Sequence, residues 1–271
     1  LIYDSHELWT HSHHGTYNTT IIKFAGKVEK FCANRSDKVI TVSQSIATYL
    51  ENYFEKEKVT VIENVPSYVH KGSYDIFREN YQIKSCTPIF LYQGLITQNR
   101  GAKLIVDAII KIKKESNFVF VFLGDGDFVK ELKVLIQENQ LEDKVKIEGF
   151  VPQKDLLKYT ASADIGVHAL DRSCLNHEYC LPNKVFEYVH AGIGMVCPDL
   201  VELKSFVETN SLGIVYKSGG SEELAQAIEY LINNPNEVVK SKKSAILAQS
   251  KYNWDVEELK LLKLYSEVFN S

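Results

Sequence analysis

The chain has 271 residues, of which 45% are hydrophobic and 24% charged, and its formal net charge is −4. This composition is typical of a globular protein with one large domain or two modest ones. Two broad classes are excluded. The dispersed lysines give no reason to expect nucleic acid as a partner, and no apolar run approaches the ~20 residues of a membrane-spanning helix.

The cysteines and histidines indicate neither a metal site nor a disulfide framework. The cysteines are odd in number, scattered and without metal-ligand spacing, which favours reduced thiols in a reducing compartment. They are Cys32, Cys86, Cys174, Cys180 and Cys197. His11, His13 and His14 could be imagined as a metal site, but a surface loop is favoured because no Cys, Asp or Glu lies at ligand spacing. No signal peptide is recognisable, so we expect a cytoplasmic protein.

Short apolar strands alternate with amphipathic helices, which predicts parallel sheets covered by helices. Because the chain opens inside an apparent strand, at Leu1 rather than at a methionine, we expect it to be a fragment that lacks an upstream portion. Apolar residues at steps of three and four predict a helix over 17–34 with one buried stripe. That stripe consists of Tyr17, Ile21, Phe24, Val28 and Phe31. A strand, a helix and a strand are predicted next, at 38–42, 43–54 and 59–62.

A longer unit follows the polar residues 67–85, which are typical of a linker. Its predicted strands lie at 89–92, 118–123, 145–147, 164–168, 194–197 and 213–216. Residues 118–123 are apolar on both faces, which indicates a central parallel strand. The amphipathic segments between the strands are predicted helices, and a last helix is predicted at 254–269. Ligands bind beyond the carboxyl ends of strands in such sheets, so the loops after them are expected to converge on one crevice.

The most informative stretch is a turn at Pro182, Asn183 and Lys184 that leads into a short helix. The start of a helix presents free N–H groups and the positive end of its dipole, which suits a phosphate. Lys184 adds a charge, and Glu187, one turn inside, could accept hydrogen bonds from a ribose. An ordinary loop-to-helix junction would have the same spacing, so the motif alone leaves both interpretations open.

Taken together, these motifs resemble the family 4 retaining glycosyltransferases, whose α/β GT-B fold places two Rossmann-like domains across a cleft. The matching segments occur in the family's order over essentially the whole chain. They are YDSHEL at 3–8, SDKVITVS at 36–43, VIEN at 61–64, YQG at 92–94, RG at 100–101, FLGDG at 122–126, KIEG at 146–149, ADIG at 163–166, PNKVFEY at 182–188 and NW at 253–254.

The resemblance implies a division of the chain into four parts. Residues 1–66 are the C-terminal part of the acceptor-side domain, 67–85 the linker, 86–252 the domain that binds the nucleotide-sugar donor, and 253–271 a helix that returns to the first domain. The family's earlier glycine-rich segment has no counterpart. We therefore expect the fragment to bind a donor yet to transfer sugar poorly.

The resemblance also assigns roles to individual residues. It places the donor diphosphate at Arg100, Asn183, Lys184 and Val185, the ribose at Glu187, and the catalytic histidine of the acceptor side at His6. The loops that face the sugar or the base are implied to contain Gly94, Gly124, Gly126, Phe150, Val151, Glu178 and Tyr179.

The chain departs from the family's pattern at two of these places. The first glutamate of the family's pair is Tyr179 here, with Glu178 one residue away, and the arginine after the Gly94 turn is Leu95. These departures affect recognition of the donor sugar.

Two of the implied roles have independent support. A cation at the start of a helix, such as Arg100, gains nothing from the dipole unless an anion binds. Glu187 lies between Phe186 and Tyr188 on a face where an unpaired charge is costly. His6 has the weakest local case, since histidines at strand ends are commonly just hydrogen-bonded.

The expected activity is transfer of a sugar from a nucleoside diphosphate to an unknown acceptor. The departing diphosphate requires cations and N–H groups, which Arg100, Lys184 and the start of the helix would supply without a metal or a cofactor. Retention of configuration is implied by the family alone. Lipid-linked or surface-polysaccharide acceptors are common in the family and would imply loose attachment to the inner membrane face. The alternatives are a nucleotide-sugar-binding fragment without turnover and a non-hydrolysing sugar-nucleotide epimerase.

Overall fold

The computed structural model describes residues 1–12, 18–54, 59–67, 72 and 74–270, which form two parallel sheets with covering helices. The first sheet has the order β1-β2-β3. Its strands are β1 (Ile2–Ser5), β2 (Lys38–Thr41) and β3 (Thr60–Val61). The second sheet is six-stranded. Its strands are β4 (Ile89–Gln93), β5 (Val119–Leu123), β6 (Val145–Gly149), β7 (Ile165–Val167), β8 (Gly194–Pro198) and β9 (Gly213–Tyr216).

Helices connect these strands and cover both faces of the larger sheet. They are α1 (Thr19–Arg35), α2 (Gln44–Phe54), α3 (Ile76–Tyr81), α4 (Ala102–Lys111), α5 (Val129–Glu138), α6 (Gln153–Ala161), α7 (Leu175–Tyr179), α8 (Asn183–Ala191), α9 (Val201–Thr209), α10 (Ser221–Asn233), α11 (Pro235–Ala248) and α12 (Trp254–Phe269). In the described part of the chain, none of them combines the length and apolar character needed to cross a membrane. The predicted α/β class with parallel sheets is confirmed.

The order of the second sheet, β6-β5-β4-β7-β8-β9, reverses direction between β4 and β7. The connections leave these two strands on opposite sides, so a crevice opens beyond their carboxyl ends. β5 lies inside the sheet, between β6 and β4, and both of its faces are covered, which explains why both are apolar. Phe120 and Phe122 are buried on one side of the sheet, and Val121 and Leu123 are buried on the other.

The predicted burial of the α1 stripe is wrong. Within the described residues, its four members are between 46% and 68% exposed. They are Ile21, Phe24, Val28 and Phe31, while Tyr17 lies outside the described residues. The helix instead packs through its small residues Gly26 and Ala33. The Tyr53 hydroxyl donates to the Gly26 carbonyl oxygen at 3.0 Å, and a Cβ on Gly26 would lie 2.9 Å from that hydroxyl. A close backbone approach therefore selects the small-residue face.

The segment predicted as a linker contains the helix α3, which packs on the second domain. Phe77 is fully buried there. Arg78 forms an ion pair with Asp164 at 2.9 Å, and the same carboxylate pairs with Lys242 at 2.9 Å. The polar composition of this segment predicted a linker. Its docking depends on one buried ring, Phe77, and one ion pair, that of Arg78, and neither produces a hydrophobic period in the sequence.

The last helix, α12, lies against the first sheet. Leu264 packs in a small cluster with Ile40 and Ile62. The backbone N–H of Glu63 donates to the Glu257 carboxylate at 3.0 Å. The chain thus crosses from the second domain back to the first through this helix.

Candidate functional site

A crevice of about 1330 Å³ lies at the carboxyl ends of β4 and β7, between the two sheets. One wall of the crevice belongs to the second domain and consists of the loops after β4, β5, β6 and β7 and the start of α8. The opposite wall comes from the first domain, where His6, Glu7 and Asn64 line it. The volume exceeds what a small metabolite needs and suits an extended ligand.

Two cations lie in this crevice without a carboxylate partner in the described chain, Arg100 and Lys184. The Lys184 ammonium nitrogen lies 4.2 Å from the centre of the Tyr92 ring. Burial, together with the positive charge of Arg100, lowers the pKa of Lys184 to about 8. Two positive charges that disfavour each other make this part of the crevice suited to an anion.

Tyr92 positions both of these cations. Its ring is fully buried beneath Lys184. Its hydroxyl donates to the carbonyl oxygens of Leu95 at 2.9 Å and of Arg100 at 3.0 Å. The hydroxyl therefore ties down both ends of the loop that carries Arg100.

The N-terminus of α8 opens on the same region. Pro182, its N-cap, provides no side-chain hydrogen bond, and Asn183 and Lys184 line the crevice. Their N–H groups have no acceptor within the helix, because a helix leaves its first amides unpaired. The amide of Val185 donates to the Pro182 carbonyl at 3.1 Å, and the Val185 side chain is buried in the core. Of the three residues predicted to hold phosphate here, two therefore face the crevice and Val185 does not.

A buried hydrogen-bond network holds Glu187 at the crevice. The Gln93 side-chain amide donates to the Glu187 carboxylate. The Gln93 carbonyl oxygen in turn accepts from the Thr160 hydroxyl at 2.7 Å. Burial raises the pKa of Glu187, while the hydrogen bonds from Gln93 and Gln153 favour its ionised form. The carboxylate is thus fixed in place with acceptor capacity to spare.

Glycines let the loops after the strands stack closely. A Cβ on Gly124 would lie 1.9 Å from the Gly94 carbonyl oxygen, and one on Gly126 would lie 2.1 Å from that of Ile96. Gly124 also has a positive φ of 145°. Gly94, at φ 120°, faces Lys184, whose ammonium would lie 3.5 Å from an added Cβ. These glycines therefore allow the loops after β4 and β5 to pack closely, with Gly94 directly beside Lys184.

Family comparison agrees with this geometry. Residues 73–253 match the family model described as "Glycosyl transferases group 1", and residues 1–65 match the one described as "Glycosyltransferase Family 4". The chain belongs to the group 1 glycosyltransferases.

Individual relatives of this group 1 glycosyltransferase are distant. An uncharacterised glycosyltransferase of Haemophilus influenzae is 24% identical over 244 residues, which cover 85% of this chain and 61% of that protein. The amylovoran biosynthesis glycosyltransferase AmsK of Erwinia amylovora is 26% identical over 145 residues, covering 53% of this chain and 36% of that protein. The matched regions thus span less than two thirds of the length of each of these relatives.

Solved structures share the GT-B fold. Anabaena HepE in complex with UDP superposes with a TM-score of 0.82 at 19% identity, covering 98% of this chain and 72% of that one. Sucrose-phosphate synthase of Thermosynechococcus elongatus gives a TM-score of 0.79 at 20% identity, covering 99% of this chain and 68% of that one.

The group 1 glycosyltransferase brings most of the sequence-predicted residues to one crevice. His6, 62% exposed, lines the first-domain wall with its Nε2 atom 3.2 Å from the Asp4 carboxylate. Phe150, 76% exposed, and Val151 line the opposite wall. The residues that line the crevice are His6, Gly94, Arg100, Gly124, Gly126, Phe150, Val151, Asn183, Lys184 and Glu187.

Glu178 and Tyr179 do not line the crevice. Both lie on α7, where Glu178 pairs with Arg172 at 2.7 Å. The Tyr179 side chain packs against the core of the first domain, and its carbonyl accepts from the Ser43 hydroxyl at 2.8 Å. The residues of α7 that do face the crevice are Asn176 and His177.

No role was predicted for Tyr92, which lies beneath Lys184, or for Gln93 and His168, which line the crevice. Tyr92 and Gln93 belong to the quoted YQG motif, and their positions at the end of β4 were the available signal. His168 follows β7 directly, at the strand-order reversal. Its placement could have been suspected from the loop after that strand, but its burial could not.

The described residues contain no group of three His, Cys, Asp or Glu side chains placed to hold a metal ion. His11 contacts the hydroxyl groups of Thr10 at 2.9 Å and Tyr49 at 3.3 Å. His13 and His14 lie outside the described residues. All five cysteines are free thiols.

Proposed function

We propose that this group 1 glycosyltransferase binds a nucleoside-diphosphate sugar in the crevice and transfers the sugar to an acceptor. The observation that carries the proposal is the grouping of Arg100 and Lys184, two cations without an ion-pair partner among the described residues, at the N-terminus of α8. Glu187, three residues into the same helix, adds a fixed carboxylate. In a nucleoside diphosphate, the diphosphate would bind the two cations and the neighbouring ribose hydroxyls would donate to the Glu187 carboxylate.

The ligand complexes of a structurally similar protein support this choice of ligand class. Anabaena HepE was solved with UDP, with UDP-glucose, and with UDP and glucose. The charge and hydrogen-bond pattern of this chain's own crevice fits the same class of ligand.

In the proposed reaction, the bond between the sugar and the diphosphate breaks, so negative charge builds up on the leaving group. Lys184, Arg100 and the amides of Asn183 and Lys184 stabilise that charge from positions set before the reaction. His6, on the opposite wall, faces the sugar and its acceptor. Water must be excluded while the cleft is closed, since hydrolysis would otherwise compete.

Three finer features belong to the proposal. The cations and helix amides can neutralise the leaving diphosphate, so we propose a reaction that requires no metal ion at this step. We also propose that no cofactor takes part. Retention of the sugar's configuration follows from the resemblance to family 4 enzymes.

The proposed acceptor is a surface polysaccharide or its lipid-linked precursor. Relatives named for amylovoran and colanic acid biosynthesis support this class. Peripheral membrane attachment would involve α1, whose exposed face carries Phe24 and Phe31, with Lys23 and Lys27 on the same helix. Such a face can enter the headgroup region of an anionic bilayer.

Vesicle flotation tests the membrane part of the proposal. The protein should float with phosphatidylglycerol vesicles and much less with phosphatidylcholine vesicles. Phe24→Glu should abolish flotation, whereas Val239→Glu, on the exposed face of α11, should not. Equal flotation of the two variants would contradict a role for α1.

Calorimetry and product analysis test the central proposal. UDP should bind in the presence of EDTA, and uridine should bind far more weakly because the cations contact phosphate. Incubation with a panel of UDP-sugars and polysaccharide acceptors should yield a glycosylated acceptor. Binding with no transfer would favour the binding fragment, and interconversion of the sugar nucleotide would favour an epimerase. No binding of any nucleoside diphosphate would overturn the proposal.

A further inference from the structure

His168 lies at the point where the strand order of the large sheet reverses. It follows β7, and its backbone N–H donates to the Val196 carbonyl at 2.9 Å. The Tyr216 hydroxyl contacts its carbonyl oxygen at 3.5 Å. The backbone of His168 is thus held by the sheet, so its ring has a fixed place on the crevice wall.

The ring of His168 is buried but has no hydrogen-bond partner. The residue is 5% exposed, and neither Nδ1 nor Nε2 has a donor or acceptor within reach among the described residues. Buried polar side chains are nearly always paired, because leaving them unpaired in a low-dielectric site is costly. An unpaired imidazole on the wall of a ligand crevice therefore indicates a partner that arrives with the ligand.

The surroundings of the ring indicate the chemistry of that partner. Burial, and then the positive charges of Lys184, His177 and Arg100, hold the pKa of His168 well below its usual range. The ring is therefore neutral before a ligand binds, with one N–H to donate and one nitrogen that accepts. The nearby positive groups include Lys184 and Arg100, which are proposed to bind an anion. An anionic oxygen that binds them could also accept the hydrogen bond from the His168 N–H.

We infer that His168 donates a hydrogen bond to the diphosphate of the bound nucleotide, beside Lys184 and Arg100. This inference rests on the proposed function, because it takes the diphosphate as the ligand of that site. A hydrogen bond to an ionised phosphate oxygen is stronger than one between neutral groups. The histidine would thus act as a binding residue for the leaving group.

Two substitutions separate this role from a structural one. His168→Phe keeps a ring of similar size but removes both nitrogens, and His168→Asn keeps a side-chain N–H. UDP should bind His168→Phe about tenfold more weakly, the loss typical of a hydrogen bond to a charged group. His168→Asn should recover much of that affinity. Uridine affinity should be the same in all three proteins, because uridine has no phosphate.

Thermal unfolding gives a second readout. In the absence of ligand, His168→Phe should melt at the same temperature as the wild type or higher, because it removes an unpaired polar group. The rise in melting temperature on adding UDP should be smaller in this variant. A lower melting temperature without ligand, together with equal losses for UDP and uridine, would assign a structural role and overturn the inference.

Parallel measurements on Lys184→Ala distinguish the two proposals. If the wild type binds no nucleoside diphosphate, the proposed function fails and the inference fails with it. If Lys184→Ala loses UDP affinity while His168→Phe keeps it, the crevice binds diphosphate and only the role of His168 is wrong.

Discussion

Lys184 and Glu187 lie three residues apart on α8. Burial disfavours the charged form of both, so it shifts their pKa values in opposite directions. It lowers the pKa of Lys184 to about 8 and raises that of Glu187. Glu187 accepts a hydrogen bond from Gln93, which favours its ionised form. Among the described residues, Lys184 lies over the Tyr92 ring and has the charge of Glu187 nearby, but it forms no ion pair. The carboxylate is therefore held in place by hydrogen bonds without ligand, while the ammonium has no oxygen that accepts from it at ion-pair distance in the described chain.

This difference predicts how UDP affinity depends on Lys184 and on pH. Lys184→Ala should weaken UDP binding by about 1–3 kcal/mol, the range for losing a hydrogen bond between charged groups. In the wild type, bound diphosphate favours the ammonium form. Affinity should therefore be full below pH 8 and should fall as pH rises through the pKa of about 8. A phosphate group stays ionised in this range, since its second pKa is about 6.

Calorimetry from pH 7 to 9.5 measures both effects. Lys204→Ala, on the exposed face of α9, is the matched control and should bind UDP like the wild type. A pH profile in Lys184→Ala that falls as steeply as that of the wild type would assign the titration to another group.

At the scale of elements, the carboxyl ends of β5 and β6 depend on glycines for two separable reasons. Gly124 and Gly149 both have positive φ, 145° and 88°. A Cβ at Gly124 would overlap the Gly94 carbonyl oxygen, whereas one at Gly149 would meet no atom within 4 Å. The two positions therefore separate backbone strain from steric overlap.

Gly149→Ala should lower the free energy of unfolding by about 1–3 kcal/mol, the cost of holding a side chain at positive φ. Gly124→Ala should lower it by a further ~1–3 kcal/mol for overpacking. It should also weaken UDP binding, because it moves the loop under Lys184. Urea denaturation and calorimetry of both variants provide the measurement. Equal destabilisation would mean that the loops can move apart at no cost.

Secondary structure could be predicted from the sequence more accurately than which face of a helix would be buried or would line the crevice. The strands β4, β5 and β8 are mainly apolar runs that are buried on both faces, so they could be predicted from the sequence. The apolar period of α1 indicated an amphipathic helix but could not say that Gly26 and Ala33 would make the contact. A motif spacing placed Glu178 and Tyr179 near the sugar, yet α7 turns both away from the crevice.

At the scale of the molecule, α12 joins the end of the second domain to the first sheet through a buried acidic contact. Glu257 is 1% exposed, accepts from the Glu63 N–H at 3.0 Å and pairs with Lys260 at 2.6 Å. Burial, and then the charge of Glu257, raise the pKa of the Glu63 side chain to about 7. Neighbouring carboxylates thus meet where the helix docks, and this docking holds the two walls of the crevice together.

The raised pKa predicts that docking of α12 weakens as pH rises. In the folded protein, Glu63 binds a proton between its unfolded pKa of 4.5 and its folded pKa of about 7. Its contribution to stability is therefore present below pH 4.5 and is lost as pH rises through 7. Glu63→Gln should then raise the melting temperature at pH 8, slow hydrogen exchange of the α12 amides, and have little effect at pH 4.5.

Glu142→Gln, an exposed substitution in the loop before β6, removes the same charge away from α12 and should change neither quantity. Equal stabilisation by both variants at pH 8 would mean that net charge, not the contact with Glu257, is responsible. If instead only Glu63→Gln stabilises the protein, and does so only above neutral pH, this buried pair sets how firmly the two domains are joined. A firmer junction keeps His6 and Lys184 on opposite walls of the crevice at a fixed relative position.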